Sequence, residues 1–281
     1  MKTNFYTILF SLSLISCAKT KKQEEPTLEM ALPQKNGYAL LIGMAKTDLP
    51  GYSNVFTRSA RYNIEAMEKI LLKNEFEKQC ITKLHSPTAD VIKLELQSQL
   101  TKLKEDDLFV FYFFGHGDQI PDTGIQDEKD YQDEVLITAD RKLVDDEIYE
   151  ILTSIKTRAR VLFIVDACNS GSVYKLNLNF SQRFQPAYSI DYFESKQANE
   201  MELDFLYLGA TQDGNYTTAS ASTSLFTSTI ESVLKDESFQ GSYVDYFNNI
   251  SQAMRHKKIF PTLYTGYTSP QFLNQQPFKI N

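Results

Sequence analysis

The sequence predicts an α/β protein built on a doubly wound, mostly parallel sheet flanked by helices. Two uninterrupted apolar runs, at residues 108–114 and 161–165, are typical of strands that are covered on both faces. Stretches of helical length and amphipathic pattern lie before and between them, and alternating strands and helices produce parallel sheets with crossover connections. Such sheets bind their ligands beyond the carboxyl ends of the strands. Residues that follow the two runs are therefore the first candidates for a functional site.

Each further element has its own signal in the chain. A helix at residues 58–73 places four apolar side chains on one face: Ile64, Met67, Ile70 and Leu71. A second helix, at residues 88–104, is predicted to bury Val91, Leu94, Leu96 and Leu100. Additional strands are predicted at residues 38–43, 79–84, 203–209 and 262–267, and additional helices at residues 224–235 and 243–254. Cys80, within the strand at residues 79–84, is expected to be buried as core packing.

Two chemically reactive residues follow the two apolar runs. His116 stands between two glycines, and Cys168 stands in the sequence Asp-Ala-Cys-Asn-Ser-Gly. An imidazole beside a thiol can hold it as a reactive thiolate and later protonate a leaving amine. Either residue alone is more often structural, but the small residues around both indicate a site at the sheet edge. The sequence therefore predicts Cys168 as nucleophile and His116 as general acid and base.

These motifs resemble the caspase and metacaspase cysteine peptidases, including their bacterial members. The resemblance lies in Phe-Gly-His-Gly at residues 114–117 and in Asp-Ala-Cys-Asn-Ser-Gly-Ser at residues 166–172. The metacaspase branch is the more similar one. Residues 127–134 resemble its acidic Asp-Glu-x-Asp-Gly-x-Asp-Glu run, and residues 145–148 resemble its Asp-Asp-Glu-Ile helix start. The resemblance implies a caspase-like α/β/α sandwich and an endopeptidase that acts on peptides or proteins.

The resemblance also implies roles for residues around the reactive pair. Backbone N–H groups of Gly117 and Cys168 would form the oxyanion site. Asp166 matches the acidic residue with which metacaspases prefer Arg or Lys before the cleaved bond, although a carboxylate there could instead cap N–H groups at the strand end. Phe114 and Asn63 stand where metacaspases usually carry Ser and Asp. Both are assigned to the substrate pocket as departures from the family pattern.

An acidic stretch at residues 118–134 follows His116. Such a run is usually a solvated loop, but carboxylates at short spacing also bind hard cations. The resemblance to calcium-using metacaspases makes candidate ligands of Asp130, Asp133, Asp145 and Asp146. An aspartate that these relatives carry shortly after the catalytic Cys is missing here, where Val-Tyr-Lys-Leu occupies residues 173–176. No cofactor is therefore expected to be required, and calcium is a candidate effector.

The N-terminal segment predicts a membrane-anchored lipoprotein. Lys2 precedes an apolar stretch at residues 5–15 that is too short to span a bilayer. Leu-Ile-Ser-Cys at residues 14–17 resembles a bacterial lipobox, which implies that residues 1–16 are a signal peptide and that Cys17 is lipidated. The alternative is an ordinary signal peptide. Residues 18–36 are polar and aperiodic, and they predict a flexible tether that holds the protein at the bacterial cell envelope.

Residues 37–281 are predicted to form one peptidase domain. By resemblance it divides into a large part (37–172), a linker (173–202) and a small part (203–281), and the linker is a candidate for self-cleavage after a basic residue. The chain has three cysteines, and with Cys17 and Cys168 assigned elsewhere no disulfide framework is expected. The formal net charge of -7 argues against a nucleic-acid binder, which needs clustered Lys and Arg.

Three functions are compatible with the sequence. The best supported is an active cysteine endopeptidase that cleaves after Arg or Lys; a preference for Asp stays open, because Arg58 and Arg61 could bind a carboxylate. The second is an inactive scaffold that binds a partner at a membrane, motivated by the departures at Phe114 and Asn63. The third is a small-molecule hydrolase or binding module, which is disfavoured because the chain lacks a Gly-x-Ser-x-Gly elbow and a dinucleotide or phosphate loop. Nothing in the sequence predicts the oligomeric state.

Overall fold

A parallel sheet dominates the computed structural model, which describes residues 35–54, 57–121, 132–167, 201–210, 222–236 and 238–281. The elements in chain order are β1 (Gly37–Gly43), α1 (Thr57–Lys73), β2 (Ile81–His85), α2 (Ala89–Leu100), β3 (Leu108–Phe114), β4 (Gly117–Pro121), β5 (Gln132–Ile137), β6 (Lys142–Val144), α3 (Asp145–Ser154), β7 (Arg160–Asp166), β8 (Asp204–Gly209), α4 (Leu225–Lys235), α5 (Tyr243–Arg255), β9 (Thr262–Tyr267) and α6 (Pro270–Asn274).

Within these ranges the main sheet has six strands in the order β2-β1-β3-β7-β8-β9. The first five strands of that order are parallel neighbours, whereas β9 runs antiparallel to β8. β2 lies on one side of β1, and every later strand of this sheet lies on the other. A doubly wound sheet opens a crevice at such a switch point, beyond the carboxyl ends of its strands.

Two hydrophobic cores cover the two faces of the main sheet. One core packs α1, α4 and α5 against strand residues such as Leu41 and Tyr112. The other packs α2 and α3 against the alternating residues, such as Leu40 and Phe111. β3 and β7 are buried along their whole length, which explains why both are continuous apolar runs. The predicted α/β/α sandwich with a mostly parallel sheet is confirmed.

The two long helices of the first half differ in how well their apolar faces were predicted. All four apolar residues predicted on α1 are buried. On α2, however, Val91 is 41% and Leu94 is 67% exposed, so the predicted face is partly wrong. The buried residues of α2 are Ala89, Ile92, Leu96, Gln99 and Leu100. Because α2 carries apolar residues on two sides, the sequence allows either side to face the core. In the structure the side that begins at Ala89 packs on the sheet.

Two further sequence-based interpretations need correction. Cys80 ends a short 3-10 turn, Lys78–Cys80, before β2 and is partly exposed, so it is not buried in a strand. The acidic stretch after His116 is not a loop throughout, because β4 and β5 pair antiparallel and β6 extends them to a three-stranded sheet. The buried apolar residues 135–137, directly after that stretch, supply the packing that stabilises β5.

Several predictions fall outside the described residues. Residues 35–281 form one compact unit by their contacts, while the predicted signal peptide, Cys17 and residues 18–34 of the tether precede it. Most of the predicted linker, residues 173–200, is also not described. In the part of the chain that is described, no helix is both long enough and apolar enough to cross a membrane. The lipoprotein and self-cleavage hypotheses stay predictions.

Ion pairs join α2 and α3 to the small antiparallel sheet. Arg141, between β5 and β6, donates to the two carboxylate oxygens of Glu147 on α3 at 2.7 and 2.9 Å. Lys93 on α2 donates to Glu147 at 2.7 Å, and Arg141 also reaches Asp90 on α2 at 3.0 Å. Burial by itself would raise the pKa of Glu147. The hydrogen bonds from Arg141 and Lys93 outweigh burial and hold that pKa at about 2.

Replacing Glu147 by Gln should remove stability that depends on pH. The depressed pKa of Glu147 contributes stability that is fully present above its ordinary value of 4.5 and is lost as the pH falls towards about 2. Gln keeps the backbone contact to Val144 that caps α3, so only the charge interactions change. We expect a loss of about 1–2 kcal/mol in the free energy of unfolding at pH 7, since solvent screens a partly exposed network.

Urea unfolding of the full chain at several pH values measures this effect. The difference between wild type and Glu147→Gln should shrink as the pH falls from about 4.5 to about 2. Glu150→Gln is the matched control, because Glu150 is an exposed residue of the same helix. A difference that stays constant across this pH range would contradict the assignment.

Candidate active site

The carboxyl ends of β3 and β7 lie side by side at the edge of the main sheet. The register pairs Phe114, the last residue of β3, with Asp166, the last residue of β7. The N–H of Gly115 continues this ladder by donating to the Asp166 carbonyl at 3.2 Å. A Cβ at Gly115 would lie 2.9 Å from the Cβ of Met44, just after β1. Glycine is therefore required at 115 by close approach of the chain.

A backbone carbonyl from the loop after β1 holds His116. The Nε2 atom of His116 lies 2.7 Å from the carbonyl oxygen of Ser53. Because a carbonyl oxygen can only accept, Nε2 carries a proton and donates it. In the neutral ring Nδ1 is then the unprotonated nitrogen and the one that can take up a proton. Sequence reasoning missed Ser53, since a carbonyl contact has no side-chain signature and the loop has no periodicity.

Gly117 begins β4 with an N–H group that β5 does not use. Gly117 lies opposite Leu136, and the N–H of Ile137 donates to the carbonyl of His116 at 3.0 Å. This bond makes Gly117 and Leu136 a pair of the non-hydrogen-bonded type. The N–H of Gly117 consequently points away from β5 and is available as a donor on the side of the strand away from the small sheet.

Asp166 ends β7 as a fully buried carboxylate. Its Oδ2 atom accepts hydrogen bonds from the hydroxyls of Ser224, of Thr227 at 2.8 Å and of Tyr112 at 3.4 Å. Its Oδ1 atom is also buried, and no described residue donates a hydrogen bond to it. Burial raises the pKa of Asp166 to about 6, against the opposing effect of the hydroxyl donors. The carboxyl group is thus partly protonated near pH 6.

The donors to Asp166 come largely from the start of α4. Ser224 is the N-cap of α4 and accepts a hydrogen bond from the N–H of Thr227 at 2.9 Å. The same hydroxyl donates to Asp166. Sequence reasoning missed Ser224 and Thr227 as site residues, although a Ser at the start of an amphipathic helix is a recognisable cap. The cap ties the second half of the chain to the end of β7.

Asn63 and Phe114, both predicted in the substrate pocket, are buried in the scaffold. The Oδ1 atom of Asn63 accepts from the N–H of Ser224 at 3.0 Å, and its Nδ2 atom donates to the carbonyl of Ser59 at 2.9 Å. Asn63 therefore reaches Asp166 through Ser224. Phe114 is 3% exposed and belongs to the core that contains α1. A role of either residue in substrate binding stays a prediction.

The two arginines of the alternative substrate pocket lie on α1. Arg58 and Arg61 are exposed on α1, and Arg61 pairs with Glu65 at 3.4 Å. Cys168 lies outside the described residues. Its place in the chain, two residues after Asp166, mirrors that of His116, two residues after Phe114.

The described carboxylates do not assemble a metal site. Asp133 on β5 and Asp145 at the start of α3 are buried, and the Oδ1 atom of Asp145 accepts from the N–H of Asp146 at 3.1 Å. Among the described residues there is no group of three or more His, Cys, Asp or Glu that could hold a metal ion. Asp130 lies outside these residues. Calcium binding stays a prediction, and no step of the chemistry is assigned to it.

Comparison with known proteins identifies the family. A model of the C14 peptidases, described as the caspase domain, matches residues 36–277. Metacaspase-2 of Arabidopsis thaliana is 31% identical in an alignment of 157 residues that covers 49% of this chain and 35% of that protein. Metacaspase-3 of Trypanosoma brucei brucei is 26% identical in an alignment of 170 residues that covers 56% of this chain and 46% of that protein. The chain thus spans less than half the length of these two relatives.

Solved structures agree with this match at the level of the fold. A protein of Geobacter sulfurreducens superimposes with a TM-score of 0.67 at 24% identity, over 87% of this chain and 98% of that one. Caspase-1 of Spodoptera frugiperda gives a TM-score of 0.58 at 13% identity, over 87% of this chain and 92% of that one. The caspase-like fold is confirmed. Since the family model covers most of the sequence, the chain belongs to the caspase-domain family of cysteine peptidases, the family of the metacaspases.

Proposed function

We propose that this chain is a cysteine endopeptidase in which Cys168 is the nucleophile and His116 is the general acid and base. The observation that carries the proposal is the contact between His116 Nε2 and the Ser53 carbonyl, which leaves Nδ1 as the proton acceptor at the carboxyl edge of the sheet. The register supports the pairing, because the two strands that precede His116 and Cys168 end on opposite residues, Phe114 and Asp166.

The proposed reaction proceeds in two halves. Nδ1 of His116 takes the proton of the Cys168 thiol, and the thiolate attacks the scissile carbonyl carbon. The peptide C–N bond breaks as the imidazolium gives its proton to the leaving amine, and a thioester remains on Cys168. Nδ1 then takes a proton from water, whose oxygen displaces the thiolate and releases the new carboxyl end. The N–H of Gly117, which β5 does not use, supports a role in stabilising the oxyanion, together with the N–H of Cys168.

Asp166 is proposed to select a basic residue before the cleaved bond. Three hydroxyls donate to Oδ2, whereas Oδ1 has no donor among the described residues. A buried carboxylate that lacks donors is unfavourable, and a guanidinium or ammonium group of the substrate would supply both charge and hydrogen bonds. A peptide with Arg or Lys before the cleaved bond would therefore suit the Asp166 carboxylate. A preference for Asp is less well supported, because Arg61 already pairs with Glu65.

One observation favours an inactive scaffold as the second candidate. Asp166 and Asn63 are 0% exposed and Phe114 is 3% exposed, so the proposed floor of the substrate pocket is covered in this structure. A protein that only binds a partner through the caspase fold does not need an accessible Asp166. The peptidase requires that a substrate can reach this carboxylate, and cleavage assays distinguish the two functions.

We further propose that the protein works at the bacterial cell envelope, anchored through a lipid on Cys17. The support is the lipobox-like sequence at residues 14–17 and the polar stretch that follows. An anchor of this kind would hold the peptidase domain close to a membrane and restrict it to peptide or protein substrates at that surface.

Peptide cleavage by the full chain tests the peptidase and its specificity together. We expect cleavage of fluorogenic peptides with Arg or Lys before the reporter, with and without added calcium, and its loss in Cys168→Ala but not in Cys80→Ala. Peptides with citrulline in place of Arg keep the shape and remove the charge. Asp166→Asn should reduce the preference for Arg over citrulline by about 10- to 100-fold, since hydrogen bonds to charged groups contribute roughly 1.5–3 kcal/mol.

The pH dependence of the same ratio isolates Asp166 from the catalytic pair. Proton transfers by His116 and Cys168 affect both peptides, so their contributions cancel when Arg is compared with citrulline. The ratio should fall as the pH drops through about 6, the pKa of Asp166, because the protonated carboxyl no longer attracts the cation. Preferential cleavage of peptides with Asp before the reporter would instead indicate that Arg58 or Arg61 binds that side chain. No cleavage of any peptide by folded protein would favour the scaffold.

Asp166→Asn should also raise stability at neutral pH. The folded protein holds the Asp166 proton up to a pKa of about 6, whereas the ordinary value is 3.8, so wild type loses stability as the pH rises between these values. Asn does not ionise. The free energy of unfolding of Asp166→Asn should exceed that of wild type by an amount that grows between pH 4 and 6. Above pH 6 the difference should stay constant at about 2–3 kcal/mol. Urea unfolding measures it, with the exposed Asp48→Asn as control; an advantage that is independent of pH would contradict the argument.

Cys17→Ser tests the anchor without touching the peptidase domain. In a bacterial host that processes lipoproteins, wild type should incorporate labelled palmitate and sediment with membranes. Cys17→Ser should do neither and should keep the peptidase activity of wild type. Equal membrane association of both proteins would show that Cys17 is not the anchor.

A further inference from the structure

Three side chains fix the loop that follows β1. The Tyr52 hydroxyl donates a hydrogen bond to Asp118 Oδ2, and Lys142 Nζ lies 3.1 Å from the same oxygen. Lys142 Nζ also lies 5.5 Å from the centre of the Tyr52 ring, which is a cation–π distance. Tyr52 belongs to the loop, Asp118 to β4 and Lys142 to β6. We call this cluster of Tyr52, Asp118 and Lys142 the Tyr52 brace.

The brace is charged at neutral pH. Burial by itself would raise the pKa of Asp118, but hydrogen bonds from Tyr52, the Gln119 backbone and Lys142 outweigh it and lower that pKa. Burial would likewise lower the pKa of Lys142, and its contacts with Tyr52 and Asp118 raise it instead. The carboxylate and the ammonium group therefore neutralise each other, and the Tyr52 hydroxyl is held by an ionised acceptor.

The residue next to Tyr52 is the one that contacts His116. Ser53 accepts the hydrogen bond from His116 Nε2 at 2.7 Å, and Asp118 follows His116 by two residues on the same strand segment. The loop thus contacts this segment twice, through Ser53 at His116 and through Tyr52 at Asp118. The rings of Tyr52 and His116 are also 6.0 Å apart at their centres, which is within the range of aromatic contacts.

Little of this part of the loop is buried. Within residues 50–54, Tyr52 alone is not exposed, so core packing does not place the Ser53 carbonyl. Asn54, on the other side of Ser53, accepts a hydrogen bond from the N–H of Thr47 at 3.1 Å, but this bond stays within the loop. The contacts of Tyr52 are the ones that tie the Ser53 carbonyl to β4 and β6.

We propose that the Tyr52 brace positions the general base, by holding the Ser53 carbonyl where it keeps the proton of His116 on Nε2 and leaves Nδ1 free. The inference rests on the proposed function, because it concerns the acid–base step of the same site. Tyr52, Asp118 and Lys142 are positioning residues that act through Ser53. The loss of the brace should slow proton transfer while leaving substrate binding in place.

Tyr52→Phe in the full chain tests the brace, since Phe keeps the ring beside Lys142 and removes the hydroxyl alone. We expect kcat for an Arg peptide to fall about three- to tenfold and KM to stay within about twofold, because one positioning hydrogen bond is lost and no substrate contact is. Tyr38→Phe is the matched control, since Tyr38 lies at the opposite end of β1. Lys142→Arg should keep most of kcat, whereas Lys142→Met should lower it as Tyr52→Phe does.

A spectroscopic readout tests the same inference without turnover. The chain has three histidines, so the ring ¹⁵N resonances of His116 can be assigned by their loss in His116→Gln. In the full chain carrying Cys168→Ala, His116 should show the tautomer protonated at Nε2. Adding Tyr52→Phe should shift His116 to a mixture of tautomers, and adding Tyr38→Phe should not.

The outcomes separate the brace from the peptidase. Unchanged kcat and an unchanged His116 tautomer in Tyr52→Phe would overturn the brace, and so would equal losses in Tyr38→Phe. If wild type cleaves no peptide, the proposed function fails, while the tautomer comparison still decides whether the brace sets His116. Should Tyr52→Phe not fold, the pair Lys142→Arg and Lys142→Met decides by the same two readouts.

Discussion

The parallel pairing of β3 with β7 is the constraint on which the site depends. Both strands are buried from end to end, and a shift by one residue would turn every core side chain to the wrong face. The pairing therefore sets Phe114 opposite Asp166 with little freedom. His116 and Cys168 each follow the paired strand ends by two residues, and this equal spacing is what the core packing contributes to the proposed catalytic pair.

The same pairing buries a carboxylate at the end of a strand. Asp166 is stable there because hydroxyls from β3 and from the start of α4 donate to one of its oxygens. Ser224 belongs to both the helix cap and this hydrogen-bond cluster, and Asn63 on α1 holds its backbone. Helices from the first and second halves of the chain, α1 and α4, are thus linked through the hydrogen bonds around Asp166. Its raised pKa is the consequence of placing a charge where water is excluded.

Sequence patterns predicted those parts of the structure that hydrophobic burial determines. β3, β7 and the buried face of α1 are continuous or periodic apolar signals, and they were found. The face of α2 was only partly found, because apolar residues occur on two of its sides. The contacts of Ser53 and Tyr52 could not be found, since a backbone carbonyl and an isolated loop tyrosine carry no pattern. They are determined by tertiary contacts at β4 and β6, strands of 5 and 3 residues that are too short for a clear signal.

The partner of His116 is a neutral carbonyl, and this choice suits a cysteine nucleophile. A carboxylate in that place would stabilise the imidazolium form of the ring. In the proposed pair with the Cys168 thiolate the imidazolium would already have a negative partner, and further stabilisation would hinder proton delivery to the leaving amine. The nearby carboxylate of Asp118 is bound by Lys142 and Tyr52 instead. The loop can therefore orient the ring without adding a negative charge to it.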